Sequence, residues 1–104
     1  MPVKITFFGP LERWAGKKHY HASGNTVKEV FQSLESQLGK SLIDHIINQD
    51  TGRIKSHFHV LLNGKDIELL NGLEEKVTEG DTITCVPPVG GGNNNIILSF
   101  TNIG

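Results

Sequence analysis

The sequence predicts an α+β roll in which one main helix packs across a mixed sheet of four to five strands. Three observations carry that reading. The alternating segment Val3-Lys4-Ile5-Thr6-Phe7-Phe8 is stopped by Gly9-Pro10 and reads as a strand with one buried face. Further on, Val27, Val30, Phe31, Leu34 and Leu38 recur at helical spacing. A last alternating segment, Thr82-Ile83-Thr84-Cys85-Val86, ends at Pro87-Pro88, because neither proline can donate to a ladder. For the first and last strands to pair in parallel, the helix must serve as a right-handed crossover.

The remaining elements fill in this frame. Residues 11–15 form a helical turn before Gly16, and Lys18-His19-Tyr20-His21-Ala22 reads as a short, polar edge strand. Thr26 and Glu29 stand at capping-box spacing, and Gly39 sits where a left-handed cap closes the main helix. Each of its five apolar side chains contributes about 1.5–3 kcal/mol when fully buried, before entropy is counted. Residues 41–48, with Leu42, Ile43, Ile46 and Ile47, read as a second short helix, and Asp50-Thr51-Gly52 turns the chain. His57-Phe58-His59-Val60-Leu61-Leu62 is a third strand followed by Asn63-Gly64, a strong hairpin signal. Residues 65–69 are expected to return as a short strand before a second turn at Asn71-Gly72.

A chain of 104 residues fits one domain with a core large enough to fold unaided. Ten basic and eleven acidic residues leave a formal net charge of -1, so there is no electrostatic reason to expect nucleic acid or an anionic membrane as partner. The one cysteine, Cys85, can form neither an internal disulfide nor an iron–sulfur cluster, and its alternation places it inward beside Ile83 as a buried thiol. No run approaches the roughly 20 apolar residues that span a bilayer. The first residues lack the pattern of a signal peptide, so a cytoplasmic location is expected. His19/His21 and His57/His59 each share a strand face, but the two strands are not expected to be neighbours, and a structural zinc site needs about four convergent ligands. No metal is expected. Nor is a catalytic residue or a bound cofactor, since the chain has no nucleophile–base grouping and no Gly-x-x-x-x-Gly-Lys-Ser/Thr phosphate loop.

The chemistry is concentrated in Val89-Gly90-Gly91-Gly92-Asn93-Asn94-Asn95. Three consecutive glycines can enter a channel too narrow for any other residue, and the two prolines before them hold the arm extended. A free glycine carboxylate on such an arm can be adenylated with ATP and then attacked by sulfur or an amine, with no catalytic side chain from the carrier itself. By itself, the tripeptide reads first as a flexible linker or turn.

Its setting is more specific. The stretch 66–73 (Asp66-Ile67-Glu68-Leu69-Leu70-Asn71-Gly72-Leu73), the later Glu79-Gly80-Asp81-Thr82-Ile83 and the terminal Pro87-Pro88-Val89-Gly90-Gly91-Gly92 resemble the sulfur carriers of the MoaD/ThiS family. The opening Lys4-Ile5-Thr6-Phe7-Phe8-Gly9-Pro10-Leu11, with Ala15-Gly16, is similar to that family's first strand and turn. The stretch 66–73 looks closest to the branch containing CysO, a carrier for cysteine synthesis. The resemblance implies a ubiquitin-like β-grasp fold and a thiocarboxylate on the terminal glycine. It also implies two partners: a ubiquitin-activating-type adenylyltransferase that uses ATP, and a synthase that accepts the sulfur for molybdopterin, thiamin or cysteine/homocysteine biosynthesis. The family's terminal pair falls on Gly91 and Gly92. Typical members end there, whereas this chain continues for twelve residues, Asn93 to Gly104, which locks the Gly92 carboxylate in a peptide bond. A processing peptidase is therefore expected to cut between Gly92 and Asn93. The implied organisation is a domain over residues 1–89, an arm over 90–92 and a removable extension over 93–104.

If Ile83 and Cys85 face inward, Thr82, Thr84 and Val86 face outward, and the same count puts Phe8 on the outward side with Lys4 and Thr6. Phe8 and Val86, extended by Leu61, are then expected to form an exposed apolar spot at the root of the arm, facing the activating enzyme. Two other functions stay open: a ubiquitin-like modifier joined to lysines through Gly92, and a non-catalytic interaction domain that retains its tail. Within the tail, Ile96-Ile97-Leu98-Ser99-Phe100 is uncharged and β-prone, suited to adding a strand to a sheet edge, or else frayed.

Overall fold

A computed structural model describes residues 2–55 and 58–87. Along the chain run β1 (Val3–Phe7), α1 (Pro10–Ala15), β2 (His19–Ala22), α2 (Val27–Leu38), α3 (Leu42–Ile46), β3 (His59–Leu62), β4 (Lys65–Asp66) and β5 (Thr82–Val86). Two 3-10 turns, Ile67–Leu69 and Gly72–Glu74, lie between β4 and β5. Among the described residues the sheet has five strands in the order β2-β1-β5-β3-β4. β1 and β5 pair in parallel, with Ile5 opposite Ile83 and Phe7 opposite Cys85, and the other pairs are antiparallel. This is the mixed-sheet α+β roll that the alternation and the helix period predict, with the β-grasp order of strands.

The helix forms where its signals stand. Thr26 Oγ1 accepts from the Glu29 N–H at 3.2 Å, while Glu29 Oε1 accepts from the Asn25 N–H at 3.0 Å, one residue earlier than the usual reciprocal bond. Gly39 closes α2 in the left-handed region, its N–H donating to the Glu35 carbonyl. Val27, Val30, Phe31 and Leu34 are fully buried and join Ile5, Phe7, Val60, Ile83 and Cys85 in one core. Leu38, the fifth of the periodic set, is only partly buried against that core.

Two elements differ from expectation. Residues 65–69 pair with β3 only through Lys65 and Asp66; the Asp66 side chain then accepts from the Glu68 N–H at 2.9 Å and caps a 3-10 turn. Turning there buries Ile67 completely, which outweighs a longer edge ladder. The third strand begins at His59, since the Phe58 N–H donates to the Lys55 carbonyl at 3.1 Å and stays out of the ladder; His57 lies outside the described residues. The hairpin at Asn63-Gly64 forms as expected, with both residues at positive φ (51° and 88°) as a type I′ turn requires.

Candidate functional site: the root of the C-terminal arm

The last described residue is Pro87. Gly91 and Gly92, the Gly92–Asn93 position and the extension 93–104 therefore lie outside the described residues, as do the boundaries drawn at 89 and 92. What the structure defines is the platform from which the arm leaves. Because β5 lies between β1 and β3, the arm departs from the middle of the sheet and not from an edge.

Both ends of β5 are pinned. At the exit, the Phe8 N–H donates to the Cys85 carbonyl at 3.1 Å. Gly9 then adopts φ 61° and ψ -137°, a region open essentially to glycine. A Cβ at Gly9 would sit 3.1 Å from Pro87 Cγ, so the turn after β1 is a seat for the first arm proline. At the entrance, Asp81 Oδ2 accepts from the Thr78 N–H at 2.8 Å and Oδ1 accepts from Asn63 Nδ2 at 3.1 Å. Asn63 Oδ1 in turn accepts from the Thr82 N–H at 3.0 Å. The Thr78 N–H and then the Asn63 amide hold the Asp81 carboxyl below its ordinary pKa. The Gly80-Asp81 signature is thus a structural lock that ties β5 to the β3–β4 hairpin.

The expected apolar spot is corrected by the structure. Leu61 is opposite Thr84, and Val86 is opposite His59, so both belong to the helix-free face, as the alternation implies. They are not exposed: Leu61 is 3% and Val86 1% accessible. Phe8 is half-buried, with Lys18 Nζ 4.7 Å from its ring centroid. Alternation assigns a side of a sheet, but accessibility depends on what lies over that side.

Other candidates resolve into structure. Cys85 is buried, and burial pushes its thiol pKa up to about 12, so it stays a protonated thiol at neutral pH and is a poor nucleophile. His19 and His21 on β2 are separated from His59 on β3 by two intervening strands, and no group of three potential metal ligands occurs among the described residues. His59 Nδ1 instead meets Asp66 Oδ2 at 3.3 Å. Trp14 packs against the core and stacks on His45 with centroids 4.1 Å apart. His45 also meets the Phe58 ring, and burial followed by the Lys55 and Lys40 charges lowers its pKa, favouring the neutral imidazole in that stack. Nothing in the helical periodicity around His45 signals this contact. A cleft of about 650 Å³, lined in part by Pro2, Val3, Gly24 and Val77, lies beside the start of β1, remote from the arm root. Among the described residues no helix is long and apolar enough to cross a membrane.

Comparison with known proteins agrees with this geometry. The ThiS family matches residues 5–92, leaving 93–104 beyond the match. Small archaeal modifier protein 3 of Haloferax volcanii is 30% identical over 95 residues, covering 88% of this chain and 100% of its own length. Sulfur carrier protein CysO of Mycobacterium tuberculosis is 30% identical over 80 residues, covering 74% of this chain and 83% of its own. Among solved structures, the Amycolatopsis orientalis BexX/CysO complex contains a chain that superposes with a TM-score of 0.72 at 30% identity, over 86% of this chain and 99% of that one. With the family match running from Ile5 to Gly92 across a β-grasp fold, the chain belongs to the ThiS family, as a sulfur carrier or ubiquitin-like modifier and not an enzyme.

Proposed function

We propose that this chain is a sulfur carrier whose working end is the Gly92 carboxylate, released by a peptidase that cuts between Gly92 and Asn93. The observation that carries this reading is the extent of the family match, which stops at Gly92, the last of the three arm glycines. In the freed chain, the Gly92 carboxylate attacks the α-phosphate of ATP on an adenylyltransferase, forming an acyl-adenylate and releasing pyrophosphate. Hydrosulfide then attacks the acyl carbon, AMP leaves, and the glycine ends as a thiocarboxylate. The platform contributes rigidity. With β5 pinned at Asp81 and at the Gly9–Pro87 contact, the strand end that carries the arm is held in place, so less ordering entropy is lost when the platform docks on a partner.

A sulfur-accepting synthase is the second partner, with cysteine, homocysteine, thiamin or molybdopterin biosynthesis as destinations. The similarity to CysO, named as a sulfur carrier, favours the cysteine branch. The similarity to a small archaeal modifier protein favours a second reading, in which an amine of a target lysine takes the place of hydrosulfide and an isopeptide forms at Gly92. Intact-mass measurement of the protein from its native cell tests both. A species ending at Gly92 with sulfur in place of one oxygen supports the carrier, and isopeptide-linked Gly92 in lysate proteins supports the modifier. Only the chain ending at Gly104, under conditions where sulfur assimilation is active, would refute both.

A further inference from the structure

Two neighbouring features around α2 and α3 take no part in the arm root. The first is a cleft of about 480 Å³ whose apolar wall is Ile43, Ile47, Ile54 and Leu73. Ile47 is buried and pairs with Ile54 in an isolated bridge, while Ile43, Ile54 and Leu73 are only half-buried. The second is Leu69, which at 79% accessible is the one large apolar side chain standing in solvent among the described residues. The 3-10 turn that draws Ile67 into the core leaves Leu69 outside it. Leu69 lies between Glu68 and Asn71 in the chain, and both of these line the cleft, so the exposed leucine stands at its rim. Charge is divided across the same cleft. Lys28 and Arg53 line it from α2 and the turn before Ile54, Glu68 and Glu74 from the two 3-10 turns, and Arg53 Nη2 meets Glu68 Oε1 at 3.5 Å.

We propose that a second copy of this chain covers the cleft, each Leu69 of a two-fold dimer inserting among Ile43, Ile54 and Leu73 of the other copy. The patch is self-complementary, which an unrelated partner does not require. A two-fold contact uses the same surface on both copies, so a protruding side chain and the hollow that receives it must lie side by side on one face. Leu69 and the cleft do. The same rotation sets the acidic wall of one copy against the basic wall of the other, so Glu68 meets Arg53 across the axis as it does within one copy. Pairing also removes from water an exposed leucine and the half-open aliphatic wall beside it. None of the cleft residues belongs to β1, β5 or the Gly9 turn, so a dimer leaves the root of the arm open and presents two arms. The proposal is independent of whether the tail is removed.

Sedimentation equilibrium on the full-length chain tests the pairing. A contact of this kind sits at the weak end of protein interfaces, so a monomer–dimer equilibrium with a dissociation constant of about 0.1–1 mM is expected. Leu69→Asp changes an exposed position and should weaken association by about tenfold or more, because a carboxylate is not tolerated in an aliphatic hollow. Glu68→Arg and Arg53→Glu should each weaken it by about tenfold, since like charges then face each other across the axis. An equimolar mixture of those two variants should associate again as a heterodimer, because each then offers the charge that the other lacks. In a mixed-label sample, nuclear Overhauser effects should join the Leu69 methyls of one copy to the Ile43 and Leu73 side chains of the other. A chain that remains monomeric at about 1 mM overturns the proposal. So does association that survives Leu69→Asp unchanged, or a mixture of the two charge variants that stays monomeric.

Discussion

The two faces of the sheet are built from the same strands and obey different rules. On the helix side, Ile5, Phe7, Val60, Ile83 and Cys85 alternate cleanly and meet Val30, Phe31 and Leu34 of α2 in a core with almost no accessible surface. On the other side the same strands present Lys4, Thr6, Leu61, Thr82, Thr84 and Val86, a mixture of charge, hydroxyl and aliphatic groups. The first face is what a β-grasp domain needs in order to fold. The second keeps apolar residues that the fold under the helix does not require, and they cluster beside the exit of the arm.

The contrast can be broken most severely from the helix side. Phe31→Ala should lower unfolding free energy by about 3–5 kcal/mol, read from the urea midpoint, since it empties the largest aromatic position on α2. Next, Gly9→Ala should cost about 1–3 kcal/mol, because alanine is strained at φ 61° and its methyl meets Pro87. Its chemical-shift changes should concentrate at Phe8, Val86 and Pro87 and spare α2, which separates an effect on the arm root from one on the core.

Val86→Ala sharpens the comparison. Removal of two buried carbons should cost about 1.5 kcal/mol in the full-length chain. Its chemical-shift changes should concentrate on the helix-free face around His59 and Leu61 and spare α2, whereas those of Phe31→Ala should spread through the core. Smaller again, Thr26→Ala should cost about 1 kcal/mol through loss of the α2 cap.

The smallest effect is one of pH. The folded Asp81 carboxyl is held below its ordinary value by the Thr78 N–H and the Asn63 amide. Its contribution is fully present above the unfolded pKa of about 3.9 and is lost as pH falls through the depressed folded value. Stability measured against pH should therefore show an acid-limb decline that is shallower in Asp81→Asn. Identical acid limbs would mean that the entrance to β5 is not held by that charge.

Much of the fold was legible because local chemistry and global packing agree. The period of α2, the capping pair Thr26 and Glu29, the Asn63-Gly64 turn and the alternation in β1 and β5 each have a local cause that the structure retains. Legibility ended where a competing burial intervened. Residues 65–69 carry no local signal that Ile67 would be drawn into the core in preference to extending β4. Likewise His45 is engaged by Trp14 and Phe58 from distant parts of the chain.

For the site, the arm motif and the Gly80-Asp81 signature were visible as residues. That Asp81 works through Asn63, and that Gly9 seats Pro87, depends on contacts between segments far apart in sequence. The sequence by itself determined the strand and helix periods, the side of the sheet on which each residue stands, and the glycine arm, since these follow from backbone geometry and side-chain type over a few neighbouring residues. Tertiary structure alone decided whether Leu61 and Val86 are open or covered and where β5 is anchored. Accessibility and anchoring are properties of pairs of distant segments, and periodicity carries no record of what the other segment will be.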